Sequence, residues 1–243
     1  MTKRFVEGNL LFEFDGARWT TLLRWDRHPD YLNRINGTYR GKAVDFVGIL
    51  DDKVPFLIEV KDFREHARDP EKTLSPQQEF ELKIRTTVAG LFGLRRQRPP
   101  GESVVVFKAL HDYWKPRLVL WQEDAPPRPR DVSRAVRLAG SSAGVLRDQI
   151  KKQLRWLEAD TFVTSSVEGD YPTVVPGLVV KKLPPERKQK AEELVEILQG
   201  LNKTISQELR WKIDDCETEA ELDDLIARAP TVRDPWNLFK HRG

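Results

Sequence analysis

Residues 41–63, GKAVDFVGILDDKVPFLIEVKDF, decide the predicted fold of this chain. Residues 43–50 and 54–63 are both rich in β-branched and aromatic side chains, and only a short polar turn, 51–53, separates them. So short a turn predicts an antiparallel β-hairpin. The second strand is apolar on both faces at residues 56–58, which is typical of a central strand that is covered on both sides.

Two charges then interrupt this second strand. Glu59 and Lys61 flank Val60, and because side chains alternate along a strand, both charges point to the same face. Pairing within the hairpin can bring Asp45, near the start of the first strand, beside them. Burying these charges without a partner or a metal ion costs several kcal/mol. The pattern therefore favours a functional cluster over its alternative, in which the charges lie on an exposed edge strand.

Two carboxylates and an ammonium group at one point of a sheet are suited to phosphodiester hydrolysis. Paired carboxylates bind a hard divalent cation such as Mg²⁺, which prefers oxygen ligands and keeps several waters. The cation polarises a phosphate oxygen and lowers the pKa of a bound water. The lysine can position that water or stabilise the negative charge that develops on the phosphate. The cluster therefore predicts a metal-dependent phosphodiesterase.

A helix is predicted after the hairpin. Ser75 can cap its start, Pro76 suits its first turn, and Gln78 stands three residues after Ser75, as in a capping box. Its apolar face consists of side chains at helical spacing: Phe80, Ile84, Val88 and Leu91. Two further strands are predicted at 103–110 and 117–122.

The order of these elements and their charged residues resemble the PD-(D/E)XK nuclease superfamily. Asp45, followed on the next strand by Glu59-Val60-Lys61, matches the motif of that family, and the agreement extends over residues 42–122. The resemblance implies an α/β fold with a restriction-endonuclease-like mixed sheet flanked by helices. In that fold, 75–92 would be the crossover helix and 103–110 the fourth strand.

The resemblance also implies roles for the motif residues. Asp45 and Glu59 would be catalytic metal ligands, Val60 would ligate the metal through its carbonyl, and Lys61 would be the catalytic lysine. The implied cofactor is Mg²⁺ or Mn²⁺, and the implied substrate is nucleic acid, with DNA favoured. Val44 stands where the motif name has proline, a change that the family commonly tolerates. A bacterial role in DNA processing or in defence against foreign DNA is the setting that the resemblance suggests.

Other functional positions are less closely defined by the sequence. The acidic residue that many members carry on a first helix is left open among Glu7, Glu13 and Asp26. Basic side chains that can meet phosphates lie on the crossover helix and in the loop after it: Lys83, Arg95, Arg96 and Arg98. Further basic clusters occur at 127–130 and 147–155, although such clusters are also common on solvated surfaces.

The remainder of the chain is predicted in outline. Residues 10–26 indicate a strand pair, and 131–158 a helix with a break or bend at 140–144. The composition changes at about 184, after which three short amphipathic helices are predicted. The predicted organisation is a nuclease-like domain, 1–183, followed by a helical C-terminal appendage, 184–243. These helices can serve as a homo-oligomer contact, as a dock for a partner protein, or simply as a cap on the core.

Composition excludes several other classes of protein. The 243 residues are 39% hydrophobic and 33% charged, with a net charge of +3, and no apolar run approaches the roughly 20 residues of a membrane helix. A single cysteine, Cys216, cannot form an internal disulfide, which predicts a cytoplasmic protein. Nucleophile-elbow and glycine-rich phosphate-loop motifs are missing from the sequence. The alternatives to an active nuclease are a non-cleaving adaptor of the same fold and an effector activated by a partner.

Overall fold

The computed structural model describes residues 1–36, 42–64, 74–94, 101–112, 115–123, 132–166 and 171–240, with the backbone alone for residue 102 and residues 132–142. Within these ranges the strands are β1 (Thr2–Glu7), β2 (Leu10–Asp15), β3 (Trp19–Arg24), β4 (Phe46–Leu50), β5 (Val54–Asp62), β6 (Arg117–Glu123), β7 (Asp160–Thr164) and β8 (Leu178–Lys182). The α-helices are α1 (Pro76–Leu94), α2 (Glu102–Asp112), α3 (Val132–Gln153), α4 (Tyr171–Val174), α5 (Pro185–Gly200), α6 (Gln207–Asp214) and α7 (Glu219–Arg228). Short 3₁₀ and π-helical turns cover Trp25–Arg27, Tyr31–Asn36, Arg155–Leu157 and Pro235–Phe239.

The protein is α/β, with a five-stranded mixed sheet in the order β3-β4-β5-β6-β7. The pairs β3/β4 and β4/β5 are antiparallel, whereas β5/β6 and β6/β7 are parallel. The hairpin predicted from residues 41–63 is therefore confirmed. Its second strand is the middle strand of the sheet and is buried on both faces between Pro55 and Val60, as its apolar run predicted.

Helix α1 begins where its capping residues predict and packs on the sheet. The Gln78 N–H donates to Ser75 Oγ (3.2 Å), and the Ser75 N–H donates to Gln78 Oε1 (2.7 Å), so the capping box is complete. The predicted apolar face is buried: Phe80, Ile84 and Leu91 are fully enclosed and Val88 nearly so. These side chains join a core cluster that also includes Val47 and Leu57 of the hairpin. Helix α1 is thereby held over β5, which carries Glu59, and over β4, which begins directly after Asp45.

The predicted strand at 103–110 is wrong, because these residues form helix α2. Val104, Val105 and Val106 favour a strand locally, but the buried positions are Ser103, Val106 and Ala109, which are three residues apart. Only helical spacing places all three against the neighbouring core. The fourth strand of the sheet is β6, parallel to β5, so the crossover between them contains both α1 and α2.

Two further predictions also need correction. Residues 10–26 contain two strands that do not pair with each other: β2 pairs with β8, and β3 pairs with β4. No break occurs at 140–144, because α3 is continuously helical from Val132 to Gln153. Glycine lowers helix propensity, but a helix continues through it when the surrounding turns are well formed.

The chain divides into two compact units. Unit 1 contains Met1 and residues 15–177, and unit 2 contains residues 2–14 and 178–243. This division differs from the predicted boundary at 184, because β2 pairs with β8 in a three-stranded sheet of the order β1-β2-β8. The N-terminal residues 2–14 therefore belong with the C-terminal helices.

Unit 2 has its own hydrophobic core and a buried arginine. Leucine, isoleucine and valine side chains of α5, α6 and α7 form this core. Arg187 is 3% exposed and donates to the carbonyls of Asp214 (2.8 Å), Cys216 (3.0 Å) and Gly8 (2.8 Å). This one side chain thereby connects the turn between β1 and β2, which contains Gly8, to the helices of its unit. Among the described helices, none combines the length and the apolar character needed to cross a membrane.

Candidate active site

The hairpin brings Asp45 and Glu59 together at the middle of the five-stranded sheet. Phe46 is paired with Ile58, so Asp45 and Glu59 follow directly beyond the last pair of the ladder. Asp45 Oδ2 accepts the backbone N–H of Val60 at 2.6 Å, which fixes its carboxylate against β5. Asp45 is 6% exposed and Glu59 is fully buried. The predicted convergence of these two carboxylates is thus present in the structure.

Lys61 lies between two carboxylates from different elements. Its Nζ is 2.9 Å from Glu59 Oε1 and 3.1 Å from Oε2 of Glu79, a residue of α1. Glu79 also accepts from Lys42 Nζ at 3.0 Å through its other oxygen. The Lys61 ammonium is therefore held by two acceptors at the edge of the buried pair, with 16% of its side chain exposed.

Helix α1 supplies a second lysine to the site, one turn after Glu79. Lys83 Nζ donates to both carboxylate oxygens of Glu59, at 2.6 and 2.8 Å, and lies 3.7 Å from Asp45 Oδ1. Its side chain is 16% exposed. Residues four apart on a helix share a face, so Glu79 and Lys83 meet Glu59 and Lys61, which share a face of the strand.

These contacts form an unbranched series of alternating charges. In spatial order the members are Lys42, Glu79, Lys61, Glu59, Lys83 and Asp45. Three ammonium groups balance three carboxylates, so these six side chains carry no net charge when all are ionised. We call them the charge network.

Burial and neighbouring charges shift the protonation of this network. Burial raises the pKa of Glu59, and the charge of Asp45 raises it further, to about 8, although Lys83 and Lys61 oppose the rise. For Lys83, burial lowers the pKa, but the carboxylates of Asp45 and Glu59 outweigh burial and raise the pKa above its ordinary value. Two carboxylates this close and this buried need positive charge beside them.

Asp26 is a fourth acidic residue near the site. It lies in the turn Trp25–Arg27, directly after β3, and burial together with the charge of Asp45 raises its pKa to about 6. Its Oδ1 finds no hydrogen-bond partner among the described residues, with Arg24 Nε at 3.8 Å. Among the three candidates for the upstream acid, Asp26 interacts electrostatically with Asp45, whereas Glu7 and Glu13 lie in unit 2.

The donor atoms of the site suit a hard divalent cation. Asp45 and Glu59 offer buried carboxylate oxygens, and the Val60 carbonyl belongs to the same segment of β5. Over the described residues, no group of three or more His, Cys, Asp or Glu side chains is arranged to hold a metal ion. Mg²⁺ is commonly held by one or two carboxylates, with waters and substrate phosphates as its other ligands, so the two-carboxylate set fits it.

The remaining predicted residues divide into two groups. Arg95, Arg96 and Arg98 lie outside the described residues. Lys83 was predicted to meet phosphate, and in the structure it contacts the carboxylates of Glu59 and Asp45 instead.

Sequence reasoning missed Glu79 and Lys42 as members of the site. A usable signal was present for Glu79. It stands four residues before Lys83 and next to the buried Phe80, so both charges border the face of α1 that covers the sheet. No comparable signal marks Lys42, which precedes β4 and reaches Glu79 only through the tertiary fold.

Comparison of the chain with protein-family models, with curated proteins and with solved structures gives no match in any of the three.

Proposed function

We propose that this chain is a metal-dependent phosphodiesterase that hydrolyses nucleic acid, with DNA as the favoured substrate. The observation that carries the proposal is the buried pair of Asp45 and Glu59, with the Lys61 ammonium 2.9 Å from Glu59. Two buried carboxylates and a lysine are more than a fold needs at this point, since a well-packed apolar set is often equally stable. They are the groups that metal-assisted phosphodiester hydrolysis uses.

Each residue of the site has a role in this proposal. Asp45, Glu59 and the Val60 carbonyl would hold Mg²⁺ or Mn²⁺, which polarises the phosphate and lowers the pKa of the attacking water. Lys61 stabilises the negative charge that develops on the phosphate. Glu79, 3.1 Å from Lys61 Nζ, keeps that ammonium oriented and charged. The Val60 N–H orients Asp45, so one segment of β5 serves both carboxylates.

The topology supports a PD-(D/E)XK-like, restriction-endonuclease-like assignment. The antiparallel series β3-β4-β5, the helical crossover and the parallel strand β6 follow in the order that the resemblance implies. There are two departures: the crossover contains two helices, because 103–110 is part of α2 and not a strand, and β3 follows directly on β2, so no helix comes just before the strand series. Asp26, in the turn after β3, would then take the place of the first-helix acid.

Basic residues offer contacts for the phosphate backbone of a nucleic acid. Arg147, Lys151 and Arg155 recur at intervals of four residues on α3 and the turn after it, and all three are exposed. Arg147 is paired with Asp148 at 3.0 Å, and an exposed pair of this kind is easily exchanged for a phosphate contact. The predicted contacts Arg95, Arg96 and Arg98 would extend this set.

The deciding experiment is cleavage of supercoiled plasmid, linear duplex, single-stranded DNA and RNA in Mg²⁺ or Mn²⁺. We expect wild type to cut at least one substrate, Lys61→Ala to lose cutting, and Lys53→Ala to retain it. Lys53 is the matched control, since it lies exposed in the turn of the same hairpin. Retained cutting by a folded Lys61→Ala variant, or EDTA-resistant cutting by wild type, would contradict the proposal.

A second candidate is a non-cleaving adaptor of the same fold. The observation that favours it is the neutrality of the charge network, which needs no metal ion to balance its charges. Thermal melting with Mn²⁺ separates the two. A nuclease, including one that a partner must activate, is stabilised by Mn²⁺ in wild type and not in Asp45→Asn, whereas an adaptor is unaffected in both.

A further inference from the structure

Lys83 occupies the position that a metal ion would take at the proposed site. Its Nζ contacts both oxygens of Glu59, at 2.6 and 2.8 Å, and is 3.7 Å from Asp45 Oδ1. A divalent cation bound by these carboxylates lies within about 2.0–2.1 Å of their oxygens, in the space between them. An ammonium group and a divalent cation cannot share that space, because like charges this close in a protein repel strongly.

We propose that Lys83 is a built-in counter-ion that the divalent cation displaces. Without metal, its ammonium offsets part of the negative charge of Asp45 and Glu59; when metal enters, the ammonium leaves the pair. Metal affinity is thereby set by competition with a residue of the chain itself. This inference rests on the proposed function, because it concerns the same cation position.

The charges of the network support an exchange rather than joint occupancy. With Lys83 in place and all six side chains ionised, the network is neutral, so a divalent cation gains little from the carboxylates. Once the Lys83 ammonium has left, Lys61 is the one ammonium of the network that still contacts the pair, through Glu59, and the pair attracts a cation. Lys61 itself need not move, since Glu79 holds it from the other side at 3.1 Å.

Lys83 has the means to move away. Its ammonium is carried on a flexible four-carbon stem from α1, and 16% of its side chain already reaches solvent. Asp26 also acts on Lys83 electrostatically, and Asp26 Oδ1 has no hydrogen-bond partner among the described residues. Asp26 thus offers an acceptor for the released ammonium.

The test is titration of the full chain with Mn²⁺, with binding measured by calorimetry and stability by thermal melting. It compares wild type, Lys83→Gln and Arg85→Gln. Arg85 is the matched control, because it lies on the same helix and pairs with Glu81, one turn away, at 2.6 Å. We expect Lys83→Gln to melt at a lower temperature without metal and to bind Mn²⁺ with a Kd lower by about tenfold or more, since a competing charge is removed. Arg85→Gln should match wild type in both.

A second measurement uses wild type alone and so does not depend on the folding of a variant. Amine acetylation followed by mass spectrometry should modify Lys83 faster when Mn²⁺ is present, because its ammonium is then released. Lys190, which pairs with Asp223 in unit 2, should react at the same rate with and without Mn²⁺.

The outcomes separate this inference from the function on which it rests. Unchanged or weaker Mn²⁺ affinity in a folded Lys83→Gln variant, or Lys83 acetylation that Mn²⁺ does not alter, overturns the counter-ion exchange but leaves a metal-binding site. Failure of Mn²⁺ to bind wild type and Lys83→Gln alike overturns the proposed function and the inference together. Binding by Lys83→Gln at Mn²⁺ concentrations that leave wild type free would support the exchange most directly.

Discussion

Replacing Glu79 with glutamine measures how strongly the charge network joins helix α1 to the sheet. Burial raises the pKa of Glu79, but the hydrogen bond from Lys42 and the charge of Lys61 outweigh it and lower the pKa from 4.5 to about 2. A pKa shift of one unit corresponds to about 1.36 kcal/mol, so the contribution of Glu79 to the free energy of unfolding has an upper limit of about 3 kcal/mol. Half of the Lys42 side chain is exposed and screened by solvent, so we expect Glu79→Gln to cost about 1–2 kcal/mol at pH 7.

The pH dependence of this loss has a definite sign. The carboxyl pKa is lower in the folded state than in the unfolded state, so the unfolded chain takes up a proton first as the pH falls. The stabilisation from Glu79 is therefore complete above about pH 4.5 and is lost as the pH falls towards 2. The stability difference between wild type and Glu79→Gln should shrink over the same interval.

Urea unfolding at a series of pH values between 7 and 3.5 checks this prediction. Glu81→Gln is the control, since Glu81 lies on the same helix and pairs with an exposed Arg85. This control should cost only a few tenths of a kcal/mol. Two results would refute the assignment of Glu79 to the network. One is an equal free energy of unfolding for wild type and Glu79→Gln at pH 7; the other is a difference between them that stays constant down to pH 3.5.

Three further substitutions test other parts of the structure. Asp45→Asn should remove stabilisation by Mn²⁺ and any metal-dependent cleavage while the chain still folds, as checked by thermal melting with and without metal; an unchanged Mn²⁺ response would contradict its role as ligand. Because burial raises the pKa of Asp26 to about 6, its ionisation destabilises the fold as the pH rises from about 4 to 6, so Asp26→Asn should be more stable relative to wild type at pH 8 than at pH 4.5 in urea unfolding. Equal differences at both pH values would argue against that burial. Thr218→Ala removes the capping box with Glu221 and should lower the stability of unit 2 by about 1 kcal/mol, measured by hydrogen exchange of α7, where unaltered protection would count against the cap.

The hairpin and its charged triplet could be predicted because their pattern is local. Alternation along β5 places Glu59 and Lys61 on one face, and the three-residue turn leaves antiparallel pairing as the natural arrangement. The capping box at Ser75 is local in the same sense, and it is present.

The errors arose where packing with distant residues overrides local preference. The valines of 103–110 favour a strand, but the helix α2 buries Ser103, Val106 and Ala109, and the ring of Phe107 meets Phe92 of α1 with centroids 4.8 Å apart. Likewise, β2 has an alternating apolar pattern that any antiparallel partner could satisfy. Its actual partner, β8, lies more than 160 residues away in the sequence.

The sequence by itself determined the central hairpin, the shared face of Glu59 and Lys61, and the position of Asp45 beside Glu59, because each follows from periodicity and short-range turn geometry. Only the tertiary structure decided which further charges complete the site. The placement of α1 over β5 brings Glu79 to Lys61 and Lys83 to Glu59. The segment before β4 brings Lys42 to Glu79. The physical reason is that the energy of a buried charge depends on every neighbour within a few ångströms. Those neighbours are determined by how the helices and strands pack together.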